Sequence, residues 1–351
     1  MTTIENKRLV KQVNWPTTDP IPDIVSAIEN GTKDIVMNAC HEFIYWWLWL
    51  HGDPDKAMEF EKVLIEHNAT IHLILGCTIP PEHVNKYPLT NMVVYTWPFN
   101  WAYRMGQELW IKSAGKPYAS VKKLYTAQRK APTKHFICLN KKPKWERALL
   151  VDNLFKLGLS DNMYLSWLNQ DIEPTYTAKH WDQKTVDLDG YQDNHFVFDI
   201  DNFALKHTLD SSFQVVNETI FDTVYWTEKT FRCLAMGKPF VIFGAPTINL
   251  RLKSYGFELY GELFDYGFDY LDDINDRAEA LTKTVKKACD KFTPEEIYKL
   301  TRTKAKRNRD RLVQILESQL FIPRELLSLK KRLNLTWKNL DTINPYTFDK
   351  W

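Results

Sequence analysis

Short apolar runs rich in Ile and Val alternate with amphipathic stretches along this chain, and the alternation occurs twice. The first series has strand-like runs at 33–40, 70–78 and 91–97 and a helix-like stretch at 54–67. A lysine-rich polar stretch at 112–134 separates it from the second series and reads as a linker. Strands joined by helical crossovers form parallel sheets, so the pattern predicts an α/β fold. Two such series predict two Rossmann-like lobes with a cleft between them.

The second series has its own strand-like and helix-like segments. Strand-like runs lie at 135–140, 163–168, 212–219 and 238–244. Helix-like stretches lie at 146–159, 227–236 and 278–320, and a further one ends at Tyr255. We therefore expect an N-terminal lobe over 1–130 and a C-terminal lobe over 131–320, closed by helices. We expect the tail, 321–351, to pack back on the N-terminal lobe.

Composition excludes several classes of protein. The 351 residues are too many for one ordinary core, and 46 basic against 44 acidic side chains give a net charge of +2. That charge argues against a surface that coats nucleic acid or an anionic membrane everywhere. The longest apolar run, 43–50, is too short to cross a bilayer, and the charged N-terminus does not resemble a secretory signal. The five separated cysteines indicate free thiols, so we expect a cytoplasmic protein.

Two local biases stand out from this balance. Residues 281–311 hold 11 Lys or Arg against 4 Asp or Glu, a local excess of 11 − 4 = +7. A solvated helical face explains such a run best, and a phosphate-binding surface is the alternative. Aromatic residues make up 14% of the chain, including 13 Trp, and they serve either cores or a groove for sugars and bases.

The segment 216–244 carries the clearest sign of chemistry. A strand ends at Glu218, and Thr227 is placed to cap a helix whose first turn carries Glu228 and Lys229. The N–H groups at a helix start attract phosphate, and Lys229 adds a full positive charge. Glu228 is positioned to accept hydrogen bonds from ribose hydroxyls. An ordinary capped helix explains the same residues equally well.

This segment resembles the donor-binding segment of the α-1,3-fucosyltransferase family. That segment reads roughly E-N-S, then Y-x-T-E-K, a helix and P-x-x-x-G, and Glu218 lies 11 positions before Lys229 here. It is also similar to segments of glycosyltransferases from large DNA viruses and phages, with T-E-K-T-F (227–231), K-P-F (238–240) and L-K-S-Y-G-F (252–257). Thr219 departs from the family's Asn, and Trp226 precedes Thr227, so the donor's base and sugar stay open.

A second segment, 138–159, is similar to the strand, polar loop and helix that open the donor lobe in these enzymes. There an Arg near the helix start reaches the pyrophosphate, and Arg147 has that place here. The resemblance covers about 135–275 and implies the two-lobed GT-B architecture. It also implies an inverting, metal-independent transfer with no cofactor beyond the nucleotide-sugar donor.

The resemblance implies roles for individual residues. Arg147 and Lys229 would hold the diphosphate, Glu228 the ribose, and Glu218 and Tyr225 the donor sugar or nucleotide. The full predicted donor-binding set is Arg147, Glu218, Thr219, Tyr225, Thr227, Glu228 and Lys229. Such a site stabilises the leaving diphosphate while the acceptor hydroxyl loses its proton.

The acceptor side is expected in the N-terminal lobe. Glu42 follows a strand end and is the candidate general base, although a plain loop carboxylate is an equally good explanation. Trp97, Phe99 and Trp101 follow the last strand of that lobe and are candidates to stack on the acceptor. A packed aromatic loop is the alternative. The acceptor itself is expected to be a glycan hydroxyl.

Other functions stay open at this point. Asp199 and Asp201 form an Asp-x-Asp motif of the kind that binds a divalent metal in GT-A glycosyltransferases. The basic segment and the aromatics would also suit a glycosyltransferase acting on hydroxymethylated bases of phage DNA, or a non-catalytic binder of carbohydrate or nucleic acid. Dehydrogenase, P-loop, zincin and α/β-hydrolase motifs do not occur in the sequence.

Overall fold

The computed structural model describes most of the chain. The described residues are 3–5, 8–11, 21–39, 54–76, 90–99, 102, 131–140, 144–167, 176–182, 186, 188, 205–318 and 320–334. The chain divides into two compact units. The first is formed by residues 1–104 with 321–351, and the second by residues 105–320. The lobe boundary expected near residue 130 stays a prediction.

The two units contain the following regular elements within the described ranges. The strands are β1 (Thr3–Glu5), β2 (Arg8–Lys11), β3 (Asp34–Ala39), β4 (Thr70–Leu75), β5 (Met92–Thr96), β6 (Lys134–Asn140), β7 (Met163–Trp167), β8 (Ser211–Asn217) and β9 (Phe240–Phe243). The helices are α1 (Ile21–Glu29), α2 (Pro54–Glu66), α3 (Trp145–Lys156), α4 (Leu205–Leu209), α5 (Glu228–Met236), α6 (Ile248–Ser254), α7 (Ile274–Lys291), α8 (Pro294–Glu317) and α9 (Arg324–Arg332). Short 3₁₀ turns lie at Ser160–Asn162 and Tyr266–Tyr270.

The first unit is built on a sheet with the strand order β1-β2-β3-β4-β5. Strands β2 to β5 are parallel, and β1 pairs antiparallel with β2. Ile71, Leu73 and Leu75 alternate along β4 and form a core with Phe60 and Leu64 of α2. Because strand neighbours follow chain order, right-handed crossovers place α1 and α2 on the same face.

A polar network lies in this first unit beside α9. His72 Nε2 is 2.9 Å from Asp34 Oδ1, and its Nδ1 is 3.1 Å from the hydroxyl of Tyr95. Arg332 of α9 donates to the same Asp34 carboxylate at 3.0 Å. Phe321 stacks on Phe99 with ring centroids 5.6 Å apart, a second contact between this C-terminal segment and the first unit.

The second unit has a parallel sheet in the order β7-β6-β8-β9. The chain moves from β6 outward to β7, and then returns past β6 to β8 and β9. Right-handed crossovers therefore place α3 and α5 on opposite faces. Helix α7 packs against α3 and α8 packs against α5, so each face of the sheet is covered.

The structure confirms the predicted α/β class with parallel strands. Glycines with positive φ angles follow three of the helices: Gly158 follows α3, Gly237 follows α5 and Gly256 follows α6. The single helical stretch expected over 278–320 is two helices. Thr293 caps the second one with a capping box, in which it exchanges hydrogen bonds with Glu296.

The basic segment 281–311 is largely neutralised at short range. Six of its eleven cations form ion pairs in the described part of the chain, for example Lys304 with Glu262 and Arg307 with Glu258. This favours a solvated helical face over a phosphate-binding surface. Among the described helices, none is both long and apolar enough to span a membrane.

Candidate functional site

The strand order of the second unit marks one edge of its sheet as the candidate site. Strands β6 and β8 are neighbours, and the helices that follow them leave in opposite directions. In doubly wound sheets, ligands bind outside the carboxyl ends of the strands at this switch point. The loop between β6 and α3 and the loop between β8 and α5 both begin there, so their residues are candidates for ligand contact.

Three cationic side chains converge on Thr219 in the loop after β8. Arg147 Nη2 is 3.2 Å from the Thr219 hydroxyl oxygen, and Lys229 Nζ is also 3.2 Å from it. Lys144 Nζ donates to the backbone carbonyl of Thr219 at 3.1 Å. We call Lys144, Arg147 and Lys229 the cation cluster. Lys144 and Arg147 come from the start of α3 and Lys229 from the first turn of α5, yet all three contact one uncharged residue, Thr219.

Burial sharpens the electrostatics of this cluster. Arg147 is only 3% exposed, and the side chains of Lys229 and Glu228 are each 18% exposed. Lys229 Nζ is 2.9 Å from Glu228 Oε1. Burial alone would favour the neutral acid of Glu228, but the adjacent Lys229 ammonium and the Arg232 guanidinium outweigh it and hold the pKa of Glu228 below its usual range. Glu228 is therefore an ionised hydrogen-bond acceptor beside two cations, Lys229 and Arg232.

Glu218 lies directly before Thr219 and is completely buried. Its carboxylate accepts hydrogen bonds from the Thr227 N–H at 3.1 Å and from the Thr227 and Thr230 hydroxyls at 2.6 Å each. The Lys229 N–H reaches the Thr227 hydroxyl oxygen at 3.4 Å. Two amide groups expected to attract phosphate are thus already used inside the protein. Anion attraction at this site rests on side chains instead.

Tyr225 and Trp226 lie in the interior of the second unit, 3% and 1% exposed. The Trp226 indole N–H donates to the Ile248 carbonyl at 3.3 Å, and its ring meets Tyr255 edge-on. Both aromatics therefore serve packing in the observed conformation. Donor contact by Tyr225 stays a prediction.

Gly244 directly follows β9, beside the candidate site, and allows the Ile248 side chain to approach closely. A Cβ added there would lie 2.8 Å from Ile248 Cδ1 and 3.4 Å from Glu218 Cβ. The carbonyl of Gly244 accepts a 2.9 Å hydrogen bond from Arg277 Nε. The glycine of the K-P-F-V-I-F-G stretch is thus explained by the close approach of the Ile248 side chain.

Sequence patterns alone did not single out four residues at this edge. Thr230 contacts Glu218, and the strand-end residues Asn140 and Asn217 share a 3.0 Å hydrogen bond between their side chains. Lys144 lies with Lys141 and Lys142 in the polar loop of segment 138–159, which the sequence favours as a phosphate-facing loop without singling out Lys144. The signal that identifies Asn140 and Asn217 is positional, because each is the last residue of a strand that borders the switch point.

The predicted acceptor residues lie in the first unit or outside the described ranges. Trp97 and Phe99 are buried, 3% and 0% exposed, so the packed-loop interpretation fits them in this conformation. Glu42, Trp101, Asp199 and Asp201 lie outside the described residues. Within the described ranges, no group of three His, Cys, Asp or Glu side chains is arranged to hold a metal ion.

No protein-family model matches this chain, and no curated protein matches it either. Fold and site together define the molecule coarsely, as an α/β protein with a cation cluster at the carboxyl edge of a parallel sheet.

Proposed function

We propose that the protein is a glycosyltransferase that moves a sugar from a nucleotide-sugar donor to a hydroxyl of an acceptor glycan. The observation that carries this proposal is the convergence of Lys144, Arg147 and Lys229 on Thr219 at the sheet's switch point. Lys229 is also paired with Glu228, and a diphosphate would add several charged oxygens as acceptors for all three cations. Doubly wound sheets bind nucleotides in this position.

In this proposal the cation cluster binds the diphosphate and stabilises the charge that develops on it as the glycosidic bond breaks. Because Arg147 is nearly buried, its charge is screened less by water than that of a surface residue. Glu228, ionised beside Lys229, accepts hydrogen bonds from the ribose hydroxyls. The first unit would supply the acceptor site and the general base Glu42, and the two units would be the lobes of a GT-B enzyme.

The first experiment is calorimetry with a panel of nucleoside diphosphates, followed by a hydrolysis screen over the matching nucleotide-sugars. We expect one nucleoside diphosphate to bind preferentially and its sugar conjugate to be hydrolysed slowly without acceptor. The Arg147→Gln variant should lose both activities, and the exposed Arg251→Gln variant serves as its control. Tight binding with no turnover of any conjugate would contradict transfer, and no binding at all would contradict the site.

The same screen distinguishes the GT-A alternative. Turnover by wild-type protein should survive EDTA if the cation cluster carries the charge of the diphosphate. Loss of turnover in EDTA and its recovery with Mn²⁺ would instead favour a metal held through Asp199 and Asp201.

A further inference from the structure

The carboxylate of Glu218 is buried against the start of α5, and Glu218 directly precedes Thr219 in the chain. A buried carboxylate is stable only when hydrogen-bond donors satisfy its oxygens. Two of the three donors come from the N-cap Thr227, and the third is the hydroxyl of Thr230, which is 0% exposed. Thr230 thus supplies the third hydrogen-bond donor to the buried carboxylate of Glu218.

The position of Thr230 in the helix gives this contact its effect. Thr230 is the third residue of α5, the position from which a Glu or Gln usually returns to the N-cap in a capping box. Here the side chain at that position is the donor: the Thr230 hydroxyl donates to the carboxylate of Glu218, which lies before the loop that leads to the helix. The Glu218 side chain therefore ties the loop after β8 to the first turn of α5.

This tie brings two ligand-binding candidates together. Thr219 follows Glu218 in the chain, and Lys229 precedes Thr230. Fixing Glu218 on Thr230 therefore fixes the backbone on both sides of the 3.2 Å contact between Lys229 Nζ and the Thr219 hydroxyl. Neither Glu218 nor Thr230 is exposed to a ligand, so both act through their neighbours.

We infer that Thr230 is a positioning residue, whose hydroxyl aligns Glu218 so that Thr219 and Lys229 meet in the geometry that binds phosphate. This inference rests on the proposed function, because it presumes that the cation cluster takes a diphosphate. It assigns to Glu218 an organising part in place of direct donor contact. Loss of the Thr230 hydroxyl leaves a buried carboxylate oxygen with fewer donors, and the loop must shift to find others.

The test is the affinity of the full chain for inorganic pyrophosphate, measured by calorimetry on four variants with thermal unfolding of the same samples. Thr230→Val removes the hydroxyl at similar size, and Thr230→Ala removes it without overpacking. Thr230→Ser keeps the hydroxyl and removes only the methyl group. The matched control is Thr301→Val in α8, which removes another fully buried hydroxyl, one that donates to Ile297 O at 2.8 Å. Thr301 lies outside the candidate site.

We expect Thr230→Val and Thr230→Ala to weaken pyrophosphate binding by about tenfold, as for loss of one net hydrogen bond to a charged group. Thr230→Ser should bind within about threefold of wild type, and Thr301→Val should bind as wild type does. Wild-type affinity in both Thr230→Val and Thr230→Ala would overturn the positioning role and leave the proposed function standing. An equal loss in Thr301→Val would also overturn it, by assigning the effect to general stability. Wild-type protein that binds neither pyrophosphate nor any nucleoside diphosphate would overturn both.

Discussion

Arg332 and Asp34 stand 298 positions apart in the sequence, and the Arg332 guanidinium donates to the Asp34 carboxylate at 3.0 Å. The buried ring of His72 contacts the same carboxylate at 2.9 Å and lies 3.4 Å from the Arg332 Nη2. The Asp34 carboxylate therefore contacts a guanidinium and an imidazole at the same time. Tyr95, on the other side of the ring, and Glu325 of α9 are the further titratable groups near this network.

This network predicts acid sensitivity of the first unit. Burial, and secondarily the Arg332 charge, lower the pKa of His72 below 6.5 although Asp34 opposes the shift. The folded unit then binds fewer protons than the unfolded chain, so its free energy of unfolding falls as pH drops through and below 6.5, by at most about 1.4 kcal/mol per pH unit. Hydrogen exchange of amides in β3 and β4 between pH 8 and 5 measures this loss.

The control variants separate His72 from the other histidines. His72→Gln should flatten the pH dependence in β3 and β4, whereas His135→Gln in the second unit should leave it unchanged. A wild-type protein whose β3 and β4 amides show no change over this range would contradict the prediction. Asp34, whose pKa is lowered by His72 and Arg332 against its burial, adds stability that disappears only below about pH 4.

Lys229→Met should weaken nucleoside-diphosphate binding by about 10- to 100-fold, because a charge-assisted hydrogen bond contributes about 1.5–3 kcal/mol. Calorimetry against the nucleotide chosen by the panel gives the number. Lys287→Met, which removes an exposed lysine from α7, is the matched control and should bind normally. Equal affinities of the two variants would remove Lys229 from the site.

Glu228→Gln should have opposite effects on two ligands. Pyrophosphate should bind at least as tightly as to wild type, because a negative charge beside the cations is removed. The nucleoside diphosphate should bind more weakly, by about threefold to tenfold, because a ribose hydroxyl loses a charged acceptor. The ratio of the two affinities is therefore the measurement, and an unchanged ratio would dissociate Glu228 from ribose recognition.

Gly244→Ala should destabilise the second unit by about 1–3 kcal/mol, since the new methyl group overlaps Ile248 in a closely packed interior. Gly261→Ala is the control, since nothing lies within 4 Å of a Cβ at that position. Urea unfolding of both variants gives the comparison, and a fully stable Gly244→Ala would mean that Ile248 moves aside freely.

Glu42→Gln should abolish sugar transfer while leaving affinity for the nucleoside diphosphate intact, as expected for a general base that does not touch the donor. Single-turnover assays with an acceptor, together with calorimetry on the same protein, check both halves. Near-normal turnover would rule out Glu42 as the base.

Local signals predicted the α/β class and several helix ends well because they act within a few residues. Gly237 and Gly256 end helices through φ angles that other residues resist, and Thr227 caps α5 as its position suggested. The break before α8 was missed although Thr293, Pro294 and Glu296 form a strong start signal. Helical periodicity on both sides of the break concealed it.

The site was predicted in its residue types but not in its internal roles. Glu218 and Tyr225 are polar or amphipathic residues in a motif-rich loop, and a sequence does not distinguish a buried carboxylate from one that faces a ligand. That distinction depends on how the loop after β8 folds over the start of α5. The meeting of Lys144, Arg147 and Lys229 on Thr219 likewise requires the pairing of β6 with β8, which joins segments about 75 residues apart.

The contacts around Thr219 also bear on the kinetics of binding. Because Thr219 orders the side chains of Arg147 and Lys229, the proposed site would lose little rotamer entropy when a phosphate takes the place of Thr219. A preorganised site of this kind binds in one step, so the observed rate should rise linearly with ligand concentration and show no slow closing phase. Differences in affinity between ligands at this site would then arise mainly from differences in their dissociation rates.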